Sequence, residues 1–170
     1  LLSKLHTIAD RVKNVTVTTC LPMIDAEYFG NPAYKDSFGM NGWFYTGPLR
    51  KAHKNGNISF IPNHLHLAAI KRLHHVKPNI YAGNATTPDK HGFVSLSLSN
   101  VYEKRMLEAA DLVILEINPN LPRTLGDVEV HVNDIDYMIK VDYEVPTLPD
   151  VAPNEKDLQI GKFIAEKIND

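Results

Sequence analysis

The side chains best suited to chemistry are concentrated in two short polar segments. The first is 86-TTPDKHGFVSLSLSN-100, which combines a Pro-Asp turn, a His-Gly pair and three alternating serines between two apolar stretches. The second is 118-NPNLPRTLGDVEVHV-132, in which amide, guanidinium, hydroxyl and carboxyl groups follow an apolar run. Together they could form a polar loop cluster large enough for a small molecule.

The first segment predicts a turn followed by a strand. Asp89 follows a proline, a pair that starts turns, and Gly92 supplies backbone conformations that other residues resist. In a strand from Phe93, the three serines Ser95, Ser97 and Ser99 point to one side because side chains alternate. That face has little bulk, so either a covering helix or a ligand fits against it. No base is fixed beside a serine, which disfavours a serine hydrolase.

The second segment is dominated by Arg123. Its guanidinium is a natural clamp for a carboxylate or a phosphate because it donates two parallel hydrogen bonds. The alternative is an arginine that pairs with Asp127 and fixes the loop. Just before the segment, Glu116 could act as a nucleophile or base, or it could end a buried strand and pair with a neighbouring group.

Other classes of site have little support. The histidine pairs at 64/66 and 74/75 lack the spacing of three or four that places two imidazoles on one helix face, so we expect no metal. A net charge of −2 with scattered Lys and Arg predicts no nucleic-acid partner. No apolar run approaches the roughly 20 residues of a membrane span. Cys20 is the only cysteine, which favours a reducing compartment, and we expect a cytoplasmic protein.

The two segments lie within an alternating pattern of strands and helices. Strands are predicted at 15–19, 58–62, 79–83, 93–99, 112–118 and 136–142, and helices at 1–12, 48–56, 64–75, after an Asn100 cap, and at 156–168. This alternation predicts an α/β fold with a mostly parallel sheet flanked by helices. Such sheets bind ligands beyond the carboxyl ends of their strands, where the loops 20–45, 84–92 and 118–127 are expected. The loop 20–45 is expected to contain one short helix.

The domain organisation follows from composition. With 170 residues and 44% hydrophobic residues, the chain suits one domain, placed at 1–143. The proline-rich stretch 144–153 predicts an extended connector. Residues 154–170 predict a further helix with an apolar core side. Because the chain begins at a leucine and stops just after that helix, we expect it to be a piece of a longer protein.

Three stretches read together resemble the amino-terminal half of the acetyl-CoA hydrolase/CoA-transferase family, of the 4-hydroxybutyrate or butyrate:acetate CoA-transferase type. They are 48-PLRKAHKNGNISFIP-62, 86-TTPDKHGFVSLSLS-99 and 116-EINPNLPRTLGDVEVHV-132. In that family a Pro-Asp-x-His-Gly turn precedes a Ser-Leu-Gly-x-Ser strand, and an Asn-x-x-Met/Leu-Pro-Arg-Thr-x-Gly loop follows a Val-Ile-x-Glu-x-Asn strand. The likeness runs from about residue 10 to the end, in the same order. Ser97 stands where the family usually has glycine, which would narrow the space beside a substrate and leaves the acyl preference open.

The resemblance implies a ping-pong transfer of coenzyme A between an acyl-CoA and a small free carboxylic acid. Coenzyme A is then a substrate, and no bound cofactor is expected. In the family, the nucleophilic glutamate lies in the carboxyl-terminal half. We therefore expect no catalytic residue in this chain, no turnover by the chain alone, and the carboxyl-terminal domain of the same protein as its partner. A homo-oligomer is left open.

The resemblance and the polar segments together give a hypothesis for the site. We expect a wall of the acyl or carboxylate pocket to be formed by substrate-binding residues from both segments. They are Asp89, His91, Gly92 and Ser95, with Asn118 and Arg123 on the same rim. Two alternatives remain: a thioester hydrolase of the same family, and a non-catalytic acyl-CoA-binding domain.

Overall fold

The computed structural model describes residues 1–55 and 57–168. The strands are Val15–Thr19 (β1), Phe38–Gly42 (β2), Ile58–Phe60 (β3), Ile80–Ala85 (β4), Phe93–Ser95 (β5), Leu112–Ile117 (β6), Glu129–His131 (β7) and Tyr137–Lys140 (β8). The α-helices are Gly47–Ala52 (α1), Ala68–His75 (α2), Glu103–Ala109 (α3) and Glu155–Ala165 (α4). Short 3-10 helices occur at Leu2–Ile8, Pro32–Tyr34, His53–Asn55, Leu65–Leu67 and Val132–Asp134.

The strands form two parallel sheets and one antiparallel pair. Strands β1, β2 and β3 make the first sheet in that order, and β4, β6 and β8 make the second. Strands β5 and β7 pair antiparallel. The predicted α/β class with parallel pairing is confirmed, and the one sheet that we expected is divided into two. In the second sheet, β6 is central, which fits its nearly continuous apolar sequence.

Two apolar clusters stabilise the two sheets. The cluster on the first sheet includes Phe38 and Met40 of β2, packed with Tyr28 and Leu49. The cluster on the second sheet includes Leu115 at the centre of β6, together with residues of β4, β5, β7, α2 and α3. Each fully buried side chain of this size contributes about 1.5–3 kcal/mol through loss of apolar surface from water.

Two strands were not predicted. Strand β2 lies inside 20–45, where we expected an irregular excursion, and the short helix expected there is the 3-10 turn Pro32–Tyr34. Two of the five residues of β2 are glycines, which lower intrinsic strand propensity, but β2 is the middle strand and bonds to both neighbours. Strand β7 lies between the predicted loop 118–127 and the predicted strand 136–142, where no element was predicted, and it pairs only with the short β5.

The predicted strand 93–99 is wrong beyond Ser95. The backbone of Ser97 has φ = +58°, a left-handed conformation that ends the extended run. Val94, Ser95, Leu96 and Ser97 are all buried. The three serines therefore do not line one open face, as we expected from strict alternation.

Several predicted helices differ at their ends. The helix expected over 1–12 is a 3-10 helix, Leu2–Ile8. The helix expected at 48–56 is α1 continued by a 3-10 turn, and its predicted end at Gly56 lies outside the described residues. Asn100 does not cap a helix, because α3 begins at Glu103 with Tyr102 at the N-cap position.

The last helix, α4, does not have the buried core side that we predicted. Asn154 and Asp157 form a reciprocal capping box at its start, which fixes where it begins. Its apolar side chains Leu158, Phe163 and Ile164 are 57–61% exposed. The segment 144–153 has no regular secondary structure. Residues 169 and 170, where the predicted helix segment ends, lie outside the described residues.

A transmembrane helix is not found in the described residues, since none of their helices combines the required length and apolar character.

Candidate functional site

The antiparallel pair β5–β7 brings the two polar segments together. Phe93 lies opposite His131 and Ser95 lies opposite Glu129. Backbone hydrogen bonds continue this pairing beyond both ends, from the Leu96 N–H to the Val128 carbonyl at 3.0 Å and from the Val132 N–H to the Gly92 carbonyl at 2.9 Å. The segments 86–99 and 118–132 therefore lie side by side, directly after the carboxyl ends of β4 and β6.

The turn at 86–93 is stabilised by Asp89. Its Oδ1 accepts from the N–H groups of His91 and Phe93, each at 2.9 Å. The hydrogen bond from Phe93, followed by that from His91 and the charge of Arg123, lowers the pKa of the Asp89 carboxyl. Asp89 is thus an ionised, structural acceptor at neutral pH rather than a proton donor.

Gly92 has the conformation that the turn requires. Its φ is +85°, in the region that favours glycine, and a Cβ added there would lie 2.9 Å from Nε2 of His131. The close approach of His131 follows from the β5–β7 register. The side chain of His91, one residue earlier, is exposed.

Arg123 joins the two segments by ion pairs. Its Nη2 lies 3.2 Å from Oδ2 of Asp89 and 2.9 Å from Oε1 of Glu129. The same nitrogen donates to the Phe93 carbonyl at 3.1 Å. The pair with Asp127 that we considered as an alternative is wrong, because Asp127 pairs with Lys104. A substrate carboxylate at Arg123 would have to compete with two carboxylates of the chain itself.

Ser95 and Asn118 are fully buried and fix the second loop. The Ser95 hydroxyl donates to the Thr124 carbonyl at 3.1 Å. The Asn118 side chain donates to the Tyr143 carbonyl at 2.9 Å and accepts from the Asn120 N–H at 3.0 Å. Both are 0% exposed, so in this structure they position backbone and do not present polar atoms to a ligand.

Ser97 also binds the second loop. Its hydroxyl donates to the Pro122 carbonyl at 2.6 Å, and its own carbonyl accepts from the Thr124 hydroxyl at 3.0 Å. The positive φ of Ser97 gives a physical reason for the glycine expected at this place, since glycine adopts this conformation without a Cβ penalty.

A hydrogen-bonded polar cluster at the same sheet edge was not predicted from the sequence. Asn84 of β4 and Glu116 of β6 lie opposite each other in the register. The Tyr143 hydroxyl donates to Oε2 of Glu116 at 3.1 Å and accepts from Nδ2 of Asn84. Of the two roles considered for Glu116, the structure therefore shows it as a strand-end residue with a partner.

Burial, and next the negative charge of Glu116, raise the pKa of Tyr143. The hydroxyl therefore keeps its proton at neutral pH and can donate it to the carboxylate. Positions 84 and 116 both lie at the carboxyl ends of neighbouring parallel strands, which brings them to the same edge of the sheet. Their contact with Tyr143 was not predicted, because it depends on the path of the chain after β8.

Metal ligation has no support in the part of the chain that the structure describes, where no three His, Cys, Asp or Glu side chains converge.

Comparison with known proteins finds one matching family model and relatives that match the chain over most of its length. Residues 8–149 match the acetyl-CoA hydrolase/transferase N-terminal domain family. A succinyl-CoA:cyclohexane-1-carboxylate CoA transferase of Geobacter metallireducens is 32% identical over 134 residues, which are 77% of this chain and 30% of the relative. A 4-hydroxybutyrate coenzyme A transferase of Clostridium kluyveri is 32% identical over 134 residues, 78% of this chain and 31% of the relative.

Solved structures share the fold at lower sequence identity. RipA from Yersinia pestis superposes with a TM-score of 0.85 at 20% identity over 100% of this chain and 42% of that one. A 4-hydroxybutyrate CoA-transferase from Porphyromonas gingivalis gives a TM-score of 0.63 at 21% identity over 95% of this chain and 43% of that one. The chain spans less than a third of the two curated relatives, at 30% and 31% of their lengths. The match over residues 8–149 shows that this chain belongs to the acetyl-CoA hydrolase/transferase N-terminal domain family.

Proposed function

We propose that this chain is the amino-terminal half of a CoA-transferase, which moves coenzyme A between an acyl-CoA and a free carboxylate. The substrate class proposed is that of 4-hydroxybutyrate, butyrate and acetate. The observation that carries the proposal is the family match over residues 8–149, together with relatives named as CoA transferases.

The proposed reaction uses a glutamate outside this chain. Its carboxylate attacks the acyl carbonyl and expels the CoA thiolate, which leaves a mixed anhydride. The thiolate then attacks the glutamyl carbonyl, releases the first carboxylate and forms a glutamyl-CoA thioester. The acceptor acid reverses both steps and leaves as its own CoA ester. A covalent intermediate divides one difficult exchange into easier steps.

In our proposal, the described residues form one wall of the acyl or carboxylate pocket. Among the six candidates, His91 and Arg123 are exposed. Arg123 is engaged in ion pairs with Asp89 and Glu129 and holds the turn, so His91 is the side chain available to a substrate. Gly92 permits the turn, while Ser95 and Asn118 anchor the adjoining loop. The roles of Arg123, Ser95 and Asn118 are thus positioning roles rather than the direct contacts expected from sequence.

We also propose the domain organisation in full: a domain at 1–143, a connector at 144–153, and a segment at 154–170 that contains α4 and leads to a second domain. The apolar side chains of α4 and of β8 support it, because parallel strands and amphipathic helices are normally covered. Met138 and Tyr137 of β8 are 50% and 61% exposed. A second domain of the same polypeptide would cover both surfaces.

The test uses the longer polypeptide that contains this chain and a second half of the family. Incubation with butyryl-CoA without an acceptor should give a CoA thioester on one glutamate, seen by peptide mass spectrometry. His91→Ala should slow both half-reactions by about tenfold, the effect of losing about 1.4 kcal/mol in the transition state. Lys90→Ala, at the exposed neighbouring position, is the matched control. If His91→Ala stays within about twofold of wild type, His91 does not belong to the pocket wall.

A second candidate is an acyl-CoA hydrolase, favoured by the hydrolase named in the matched family. In that reaction water replaces the acceptor acid. Release of free CoA from butyryl-CoA should then be independent of acetate, whereas a transferase forms acetyl-CoA only when acetate is added.

A further inference from the structure

Tyr143 is fastened to the edge of the second sheet by both its side chain and its backbone. Its hydroxyl donates to Oε2 of Glu116 at 3.1 Å and accepts from Nδ2 of Asn84. Its carbonyl accepts from the side-chain amides of Asn118 and Asn120, at 2.9 and 3.1 Å. One residue is thus tied to the ends of two neighbouring strands, β4 and β6, and to the loop that follows β6.

The approach of the chain to Tyr143 is fixed as well. The Val141 N–H donates to the Ile117 carbonyl at 3.0 Å, which continues the pairing of β6 with β8 beyond the end of β8. The Asp142 carboxylate accepts from the side chain of Asn120 at 2.9 Å. The chain therefore leaves the second sheet along a defined path.

These attachments stop at Tyr143. Within residues 1–55 and 57–168, the connector 144–153 makes no hydrogen bond. Val145 is half-buried, whereas the rest of the connector and all of α4 are exposed. Tyr143 is therefore the last residue that is firmly held before α4.

The composition of the connector makes its starting point matter. Three of its ten residues are prolines, namely Pro146, Pro149 and Pro153. Proline-rich segments are extended, semi-rigid spacers of about 3.1 Å per residue, so this one can span about 30 Å. A stiff spacer keeps the direction in which it starts, whereas a flexible one loses it. The direction that is fixed at Tyr143 is therefore passed on to α4.

The hydroxyl is the specific part of this attachment. Asn84 and Glu116 lie opposite each other in the register of β4 and β6, so their side chains point to the same side of the sheet. The Tyr143 hydroxyl bridges them, and its hydrogen bond to a carboxylate is of the stronger, charge-assisted kind. A phenylalanine fills the same space and makes neither bond.

We propose that Tyr143 is a positioning residue, which anchors the root of the connector beside the candidate site. Residues 144–153 turn about this anchor as one stiff arm that carries α4. The anchor is argued from the contacts of Tyr143 alone. Its consequence for catalysis, a second domain held in place against the wall that contains His91, rests on the proposed function.

The anchor is tested by NMR hydrogen exchange on the 170-residue chain. The Val141 amide reports release of the anchored residues, because its hydrogen bond continues the sheet just before Tyr143. Tyr143→Phe should lower the protection of Val141 at least about tenfold, which equals about 1.4 kcal/mol. Tyr137→Phe is the matched control and should leave the protection unchanged, since the Tyr137 side chain is exposed and its hydroxyl makes no hydrogen bond within residues 1–55 and 57–168.

Variants of Glu116 test whether the hydroxyl acts through that carboxylate. Glu116→Gln keeps an acceptor oxygen and should retain most of the protection, whereas Glu116→Leu should match Tyr143→Phe. The double variant Tyr143→Phe/Glu116→Leu should lose little more than either single variant, because both substitutions remove the same bond. Unchanged protection of Val141 in Tyr143→Phe, or losses that simply add in the double variant, would overturn the anchor.

The positioning role is tested in the longer polypeptide with butyryl-CoA and acetate. Tyr143→Phe should lower kcat about tenfold and leave KM within about twofold, because a displaced reacting group slows the chemical step while no contact with substrate is lost. An unchanged kcat, with or without a raised KM, would overturn the positioning role. If the wild-type longer polypeptide transfers no CoA while exchange at Val141 responds as expected, the proposed function fails and the anchor stands. If exchange at Val141 does not respond, the anchor fails whatever the transferase activity.

Discussion

The left-handed backbone at Ser97 can be tested by comparing glycine and alanine at the same position. A Cβ in this conformation costs about 1–2 kcal/mol, whereas glycine elsewhere is disfavoured relative to alanine by about 0.5–1 kcal/mol. Both substitutions remove the 2.6 Å hydrogen bond to the Pro122 carbonyl, so that loss cancels in the comparison. Ser97→Gly should therefore be more stable than Ser97→Ala by about 0.5–1 kcal/mol.

The assay is urea unfolding of the 170-residue chain. With a slope of about 2 kcal/mol per molar, the glycine variant should have a midpoint about 0.3–0.5 M higher than the alanine variant. Ser95 is the matched control, because its hydroxyl also bonds to the second loop but its backbone is extended within β5. There the order should reverse, with Ser95→Ala more stable than Ser95→Gly. If alanine is also the more stable residue at position 97, the left-handed conformation is not present in solution.

Three further predictions concern the same loops. Gly92→Ala should lower the free energy of unfolding by at least about 1 kcal/mol. Adding His131→Ala to that variant should recover part of the loss, because it removes the 2.9 Å contact with the new Cβ. If the effects of the two substitutions on the free energy of unfolding simply add, that contact is refuted. Asn118→Leu should lower the free energy of unfolding by about 1–3 kcal/mol, because both hydrogen bonds of the fully buried Asn118 amide are lost. Asn120→Ala changes an exposed side chain and should lower the free energy of unfolding by less in the same urea assay. The pKa of Asp89 lies below the 3.8 of an unperturbed aspartate, so its stabilisation is complete above about pH 4 and is lost as the pH falls through the lower folded value. NMR titration of the Asp89 carboxyl carbon should show that low midpoint, and a midpoint at or above 3.8 would contradict the hydrogen bonds assigned to it.

Local sequence signals were sufficient where the chain forms its own interactions. The β-branched stretch of β1 and the apolar run of β6 predicted strands that the structure contains. The turn at Asp89 and Gly92 was also predicted from residue type, because a Pro-Asp pair and a positive-φ glycine act within a few residues.

Features that depend on distant contacts were missed or misread. Strand β2 needs its two neighbours, and the turn at Ser97 needs the loop at Pro122, so neither follows from local alternation. The alternative pair of Arg123 with Asp127 was wrong, and its actual partner Glu129 becomes available only through the β5–β7 pairing. The apolar side chains on one face of α4 were predicted from the sequence, but the spacing of apolar residues does not identify the surface that covers that face.

The most direct test of the account compares the 170-residue chain with the longer polypeptide that includes a second half of the family. Both are incubated with butyryl-CoA and acetate, and acetyl-CoA formation is followed by chromatography. We predict no transfer above the buffer rate for the short chain and turnover of about 1–1000 per second for the longer one. Transfer by the short chain at such a rate would show that it holds its own nucleophile, and the proposed division of the active site would be wrong.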